Sequence, residues 1–294
     1  MQISTENRTA GILWMLATMG CFISLDATMK YALQTYSLVE VTWGRFFFAT
    51  ICALFICGRD FPTLVKSTSP GLQTLRSVLL MATTGLFNVG ISVLPLPTCT
   101  TIMFMSPILV TMLSSVVLHE HVGWRRWTGI GIGFCGALVV IRIWQTGLSG
   151  INHGAIFVFA AAFTNATYQI FTRKLRGENP LTSLLFTAVA GAVVTSILLP
   201  WHWTMPDAFG WMLLVASGIF GCAGHLFLIK AFTAAPASVV APFSYSSLVW
   251  ATLFGILIWG DWPMPTTLIG AAMIIGSGLY IFLRERHLAA LPAT

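Results

Sequence analysis

Residues 94–140 read LPLPTCTTIMFMSPILVTMLSSVVLHEHVGWRRWTGIGIGFCGALVV, two apolar runs divided by the short polar stretch HEHVGWRR. The runs, Thr98 to Leu118 and Trp124 to Ile141, approach the roughly 20 residues an α-helix needs to cross about 30 Å of hydrocarbon. A related pattern returns at residues 230–281, KAFTAAPASVVAPFSYSSLVWATLFGILIWGDWPMPTTLIGAAMIIGSGLYI. Sliding the chain by 141 residues superimposes Pro95 on Pro236, Ser106 on Ser247, Thr111 on Thr252, Glu120 on Asp261 and Gly129 on Gly270. Nearer the N-terminus a shift of 143 matches Gly11 with Gly154, Lys30 with Arg173 and Leu38 with Leu181. Two near-equal offsets make the chain a duplication, with a first repeat at 1–147 and a second at 148–294.

Working outward, the same apolar signature predicts spans at Ala10 to Tyr31, Leu38 to Cys57, Leu72 to Leu94, His153 to Thr172, Leu181 to Leu199, Phe209 to Ile229, Ser238 to Trp259 and Thr266 to Leu283. With the two quoted runs this makes ten. The fold class expected is all-α integral membrane, ten transmembrane helices arranged as two inverted five-helix repeats. The inversion follows from the odd number, because five helices leave the second copy entering the membrane from the opposite side. Composition agrees: 56% of the 294 residues are hydrophobic and only 8% are Asp, Glu, Lys or Arg, about a third of the charge of a soluble domain. The connections are short, leaving no room for a separate soluble domain. The first run is too long for a cleavable signal and is read as a retained helix.

The net charge of +6 is explained by where the basic residues fall. With the N-terminus inside, twelve of the fifteen, Arg76 among them, lie on the cytoplasmic side, Lys30 and Arg142 lie outside, and Arg45 is intramembrane. Both termini are therefore expected in the cytoplasm of a bacterial inner membrane, with anionic lipid as the partner of the basic face and no role for nucleic acid. The six cysteines all fall within apolar runs and lack a CxxC spacing, so they read as small apolar fillers.

Charges inside the bilayer cost about 2.5–3.5 kcal/mol each, so the few present are candidates for function. Asp26 and Lys30 stand four apart on the first helix, acid first, the favourable order for an ion pair. Arg45 on the inward-running second helix reaches a similar depth. These three are expected to form an outer gate or to bind a charged group of a substrate, against the plainer reading of a static pair joining helices one and two. The repeat mates of Asp26 and Arg45 are the uncharged Gln169 and Ala188. Further candidates for a central cavity are Trp14, Trp43, Asn88, Asn165, Tyr168, Gln169, His225, Tyr245 and Trp250. Pro107 and Pro242 each remove a backbone donor and are expected to bend the fourth and ninth helices. Gly129 with Gly133, and Gly218 with Gly221 and Gly224, suit close helix packing.

The quoted stretches resemble the paired EamA-type domains of the drug/metabolite transporter superfamily, over nearly the whole chain. The pattern shared is a helix, an acidic residue at its end (Glu120, Asp261) and a glycine nine residues on (Gly129, Gly270). DATMK at 26–30 with VEVTWGRFFFAT at 39–50 also resembles a branch that includes S-adenosylmethionine and other metabolite carriers. The resemblance implies a secondary carrier that cycles by alternating access, functional as a monomer, exporting a small organic metabolite such as an amino acid or its derivative. Uptake of S-adenosylmethionine, riboflavin or a similar metabolite, or efflux of lipophilic cations, is the alternative. An aromatic content of 13% suits a substrate with an apolar part.

Other classes find little support. GIGIG at 129–133 has no strand before it and is not a dinucleotide fingerprint. His119, Glu120 and His121 have no second ligand cluster to complete a metal site, so no metal and no cofactor is expected. No nucleophile arrangement or phosphate loop appears, which argues against an enzyme. A channel would show a filter-like segment or a ring of like charges, and neither is present.

Overall fold

The computed structural model describes residues 8–58, 66–117, 124–142, 152–175 and 177–289. Ten helices run through them: α1 (Arg8–Ala32), α2 (Leu38–Cys57), α3 (Pro70–Val93), α4 (Leu96–Met103 and Met105–Val117, joined at Phe104), α5 (Trp124–Ile141), α6 (His153–Lys174), α7 (Pro180–Leu198), α8 (Ala208–Ala234), α9 (237–259) and α10 (Pro265–Ala289). Nine are long and apolar enough to span a bilayer; α5 is the short one, its apolar part covering Trp127–Ile141. Arg125 and Arg126 in its first turn shorten the apolar stretch from the N-terminal side.

Helix starts are fixed by capping residues at the polar ends. Ser37 Oγ accepts from the Glu40 amide at 3.2 Å, Asn152 Oδ1 from Gly154 at 2.8 Å, Asn179 Oδ1 from Leu181 at 2.9 Å, and Asp207 Oδ1 from Gly210 at 2.6 Å. Each satisfies an amide that has no partner inside its own helix, a need that hydrocarbon makes acute. Exposed Trp201 and Trp262 mark one end of the bundle and Trp124 the other, the interfacial positions indole favours.

The packing carries the inverted repeat. In it α1 corresponds to α6, α2 to α7, α3 to α8, α4 to α9 and α5 to α10. The most extensive contacts join α1 to α8, α3 to α6, α5 to α10 and α2 to α7. The first two pairs exchange under a two-fold rotation, and the last two map onto themselves, so the axis runs between the repeats. Each helix takes its main partner from the other half, and neither half packs as a bundle by itself.

Helices α4 and α9 depart from regular geometry at equivalent places. In α4 the break falls at Phe104, three residues before Pro107, whose missing amide leaves the Met103 carbonyl without its helical donor. In α9 a 3-10 turn spans Ala241–Tyr245 around Pro242, then α geometry resumes and ends in a π turn at Gly255–Trp259, closed by Gly260 at φ +69°. Phe104 and Tyr245 are repeat mates, and their rings meet edge to face at 5.1 Å. The two prolines are not mates, so the break belongs to the repeat and each copy makes it with its own proline.

Close crossing of α2 and α8 depends on Gly218, where a Cβ would lie 2.7 Å from the Ala49 amide nitrogen. Backbone cannot swing aside as a side chain can. Gly218→Ala is expected to lower stability by about 1–3 kcal/mol, read as a fall in the melting temperature of the detergent-solubilised protein. Gly85→Ala, which meets open space, serves as the neutral control.

Candidate functional site

One end of the bundle is sealed. Lys30, in the last turn of α1, donates from Nζ to the Leu94 carbonyl at 2.6 Å, lies 3.7 Å from Asp261 Oδ2, and sits 5.1 Å from the Trp259 ring centroid. It thus ties the α3–α4 turn of one repeat to the α9–α10 turn of the other. Nearby, the α1–α2 turn is fastened to the α7–α8 connection: Tyr36 Oη donates to Asp207 Oδ1 at 3.0 Å, Ser37 Oγ to the His202 carbonyl at 2.9 Å, and the Thr204 amide to Glu40 Oε2 at 3.2 Å. The Gly210 amide and Tyr36 hold the Asp207 carboxyl below its usual range, and Tyr36 is raised by partial burial and by that bond. Beneath the seal, Met29, Leu96, Cys99, Ile102 and Ala251 belong to one buried apolar cluster.

From the opposite end a cavity of about 250 Å³ enters between α2, α3, α6, α7 and α8. Its mouth is at Leu175, Glu178 and exposed Pro180, and it reaches Arg45, Ala188 and His225. Most of the wall surface is apolar, as in ligand sites generally. Its polar part is Arg45, Arg76, Tyr168, Thr172, Ser183, Thr187 and His225, with Glu178 at the mouth. Arg45 Nη1 donates to Thr84 Oγ1 at 2.9 Å, and its charge acts on Asp26 of α1 without a direct ion pair between them. Asp26 itself is half-buried and accepts no hydrogen bond from the described residues. His225 stands edge-on to Phe22, with ring centroids 5.1 Å apart.

Arg76, one of the twelve basic residues expected on the cytoplasmic side, is buried inside the bundle and not exposed at its end. It lies six residues into α3, 6% exposed, with Nε donating to Thr172 Oγ1 at 2.8 Å, Nη1 to the Ser183 carbonyl and Thr187 Oγ1 at 3.0 Å each, and Nη2 to Tyr168 Oη at 2.6 Å. A signal was present: Gln73, Arg76, Ser77, Thr83, Thr84 and Asn88 form a buried polar stripe at helical spacing along α3.

Of the other sequence candidates, Tyr168, His225 and Arg45 meet at the cavity, Asp26 stands within electrostatic range of Arg45, and Lys30 lies at the sealed end. The remainder fasten helices to one another. Asn88 donates to Thr42 at 3.1 Å, and Asn165 and Gln169 both donate to Ser106, at 3.1 and 3.0 Å, beside the break in α4. Trp43 donates to Ser196 at 3.0 Å within a cluster of Phe47, Phe48 and Trp203. Trp14 packs on Phe227 under Lys230, Tyr245 on Phe104, and Trp250 against Gly20 of α1. His119, Glu120 and His121 lie outside the described residues, among which no cluster of three metal-ligating side chains occurs.

At the mouth, Glu178 Oε1 accepts from Ser67 Oγ at 2.9 Å, the Thr68 amide at 2.8 Å and Thr68 Oγ1 at 2.6 Å, joining the α2–α3 and α6–α7 connections. The Thr68 hydroxyl and then Ser67 draw its pKa below the ordinary value, about 4.3 for a free glutamate. A lowered folded-state value stabilises the clamp above that ordinary value and releases it as pH falls through the lowered one. Exchange of the Thr68 amide should thus stay slow from about pH 5 to pH 8 and accelerate, beyond the intrinsic rate, only below about 4.

A helical bundle with an internal two-fold, sealed at one end and opening at the other onto a polar-lined cavity between its repeats, is the architecture of an alternating-access carrier. The chain belongs to the EamA-like transporter family, whose model matches residues 9–142 and 152–283, once in each repeat. It is similar to an S-adenosylmethionine uptake transporter of Rickettsia felis, 28% identical over 97% of each chain. A riboflavin transporter of Vibrio cholerae is 26% identical over 92% of each, and the pseudopaline exporter CntI of Pseudomonas aeruginosa 24% over 90% of this chain and 93% of that protein. A crystal structure of a protein 15% identical has the same fold, with a TM-score of 0.66 over 97% of this chain and all of that one. The protein is a multi-pass membrane transporter of a small molecule and not an enzyme.

Proposed function

We propose that the transported molecule is an amino-acid derivative carrying both a carboxylate and a cationic group, with S-adenosylmethionine as the first compound to test. The observation that carries this reading is the pairing of two guanidinium groups, Arg45 and Arg76, in one small cavity with the unbonded carboxylate of Asp26 near Arg45. The arginines lining the cavity offer partners to an amphoteric ligand's carboxylate, Asp26, outside that lining but within electrostatic range of Arg45, offers one to its cation, and the apolar wall and Tyr168 accommodate the rest. The names of the Rickettsia relatives support the same class.

In this proposal both termini are cytoplasmic in a bacterial inner membrane, so the cavity faces inward and the Lys30 end is the closed outer gate. The two repeats rock about Phe104 and Tyr245 to reach the outward-facing state. One chain supplies every wall of the cavity, which supports function as a monomer. The names of the Rickettsia relatives support uptake and that of the pseudopaline exporter supports the export expected from the family's habits, and a carrier without an added energy source runs down whichever gradient it meets.

The test is counterflow in proteoliposomes. Vesicles preloaded with unlabelled S-adenosylmethionine should accumulate the labelled compound transiently, as a carrier requires and a channel does not permit. Absence of counterflow with this and other amino-acid derivatives rejects the substrate class. Medium and cell pools in strains lacking or overproducing the protein then give the direction: depletion from the medium with intracellular gain means uptake, and enrichment of the medium means export.

A further inference from the structure

We infer that Arg76 is the anchor for the substrate's carboxylate, with Arg45 as the second positive charge of that subsite; this rests on the substrate class just proposed.

The guanidinium of Arg76 is held on three sides by neutral oxygens from α6 and α7, and its face lies 4.6 Å from the Tyr168 ring centroid. Four hydrogen bonds orient it, but none brings a negative charge. No carboxylate among the described residues comes within 4.0 Å of it, and Glu178, the acid in the same cavity wall, has one carboxylate oxygen taken by Ser67 and Thr68. Arg45 faces the same cavity, and His225 experiences the charge of both arginines. Two like charges lining one cavity repel each other, and burial costs each part of its hydration. Ionisable residues inside membrane bundles mark substrate and ion pathways. An incoming carboxylate relieves both costs and meets a guanidinium whose orientation is already fixed, so little ordering remains for binding to supply.

The oxygens around Arg76 also say why arginine is present. Nε, Nη1 and Nη2 each use at least one N–H on the scaffold, which a lysine's single nitrogen could not do while still facing the cavity. Tyr168 is the positioning residue, because its hydroxyl takes the Nη2 donor and its ring lies beside the guanidinium carbon.

The experiment measures binding of S-adenosylmethionine and of its decarboxylated analogue to the purified full chain in nanodiscs, for the wild type, Arg76→Gln, Arg76→Lys and Tyr168→Phe. The wild type is expected to prefer the carboxylate-bearing ligand by about 10–100-fold. Arg76→Gln should bring that ratio near one, by weakening binding of the carboxylate-bearing ligand more than that of the decarboxylated analogue. Arg76→Lys and Tyr168→Phe should give intermediate ratios. A wild-type ratio near one overturns the inference without need of any variant, and so does a ratio retained in folded Arg76→Gln. Wild-type protein that binds neither compound, and no other amino-acid derivative, rejects the proposed substrate class and this subsite with it. Wild-type binding of riboflavin alone, a neutral ring system, would do the same.

Discussion

Arg45→Ala is expected to lower the apparent affinity for substrate by about 10–100-fold, the worth of one charge-assisted hydrogen bond at 1.4 kcal/mol per decade. Its side chain faces the cavity from α2, is steadied by Thr84, and supplies the positive charge that acts on Asp26. Truncation leaves the Asp26 carboxylate in the bundle without that charge, a loss that can cost stability as well as binding. Two variants separate these effects. Arg45→Ala with Asp26→Asn removes both charges and should restore yield and thermal stability while transport stays low. Transport and expression both unchanged in Arg45→Ala would instead reduce Arg45 to a helix-packing residue and remove it from the gate and the site.

Lys30→Met should unlock the sealed end. The substitution retains most of the aliphatic stem but deletes the charge that joins Leu94 to Asp261 and Trp259. Losing one hydrogen bond from a charged donor shifts a two-state equilibrium by roughly 10–100-fold toward the form that lacks it. Cys99 reports the shift, since it is fully buried in the apolar layer beneath the seal. With the other five cysteines replaced, a membrane-impermeant maleimide should modify Cys99 at least about tenfold faster in Lys30→Met than with Lys30 present. Asp261→Asn should have a smaller effect in the same direction, because the Leu94 bond survives. Unchanged labelling in Lys30→Met would mean that the Tyr36, Ser37 and Glu40 contacts close this end without it.

The two experiments address opposite ends of one cycle. Lys30 holds elements of both repeats, whereas Arg45 and Arg76 come from the first repeat and face walls contributed largely by the second. Movement of one repeat against the other therefore changes the seal and the cavity together, which is the coupling alternating access requires.

The sequence by itself determined the ten apolar runs, the duplication, and the antiparallel relation of its halves. Each of these is local or periodic: hydrocarbon excludes charge over the length of a span, related residues recur at a fixed offset, and five is odd. It also isolated Asp26, Lys30 and Arg45, because charge is rare enough in such helices to stand out. The tertiary structure alone decided which polar groups share a cavity. Asn88, Asn165, Gln169 and Trp43 looked equivalent to Tyr168 and His225 along the chain, yet the first four bond neighbouring helices and the last two face the cavity. Lys30 meets its partners only because α3 and α9 end beside it, and Arg76 is buried only because α6 and α7 bring Tyr168, Thr172, Ser183 and Thr187 around it. The reason is that lipid and protein interior are both apolar, so a membrane helix carries little pattern to tell its outer face from its inner one, and the choice falls to helices packed from the other repeat.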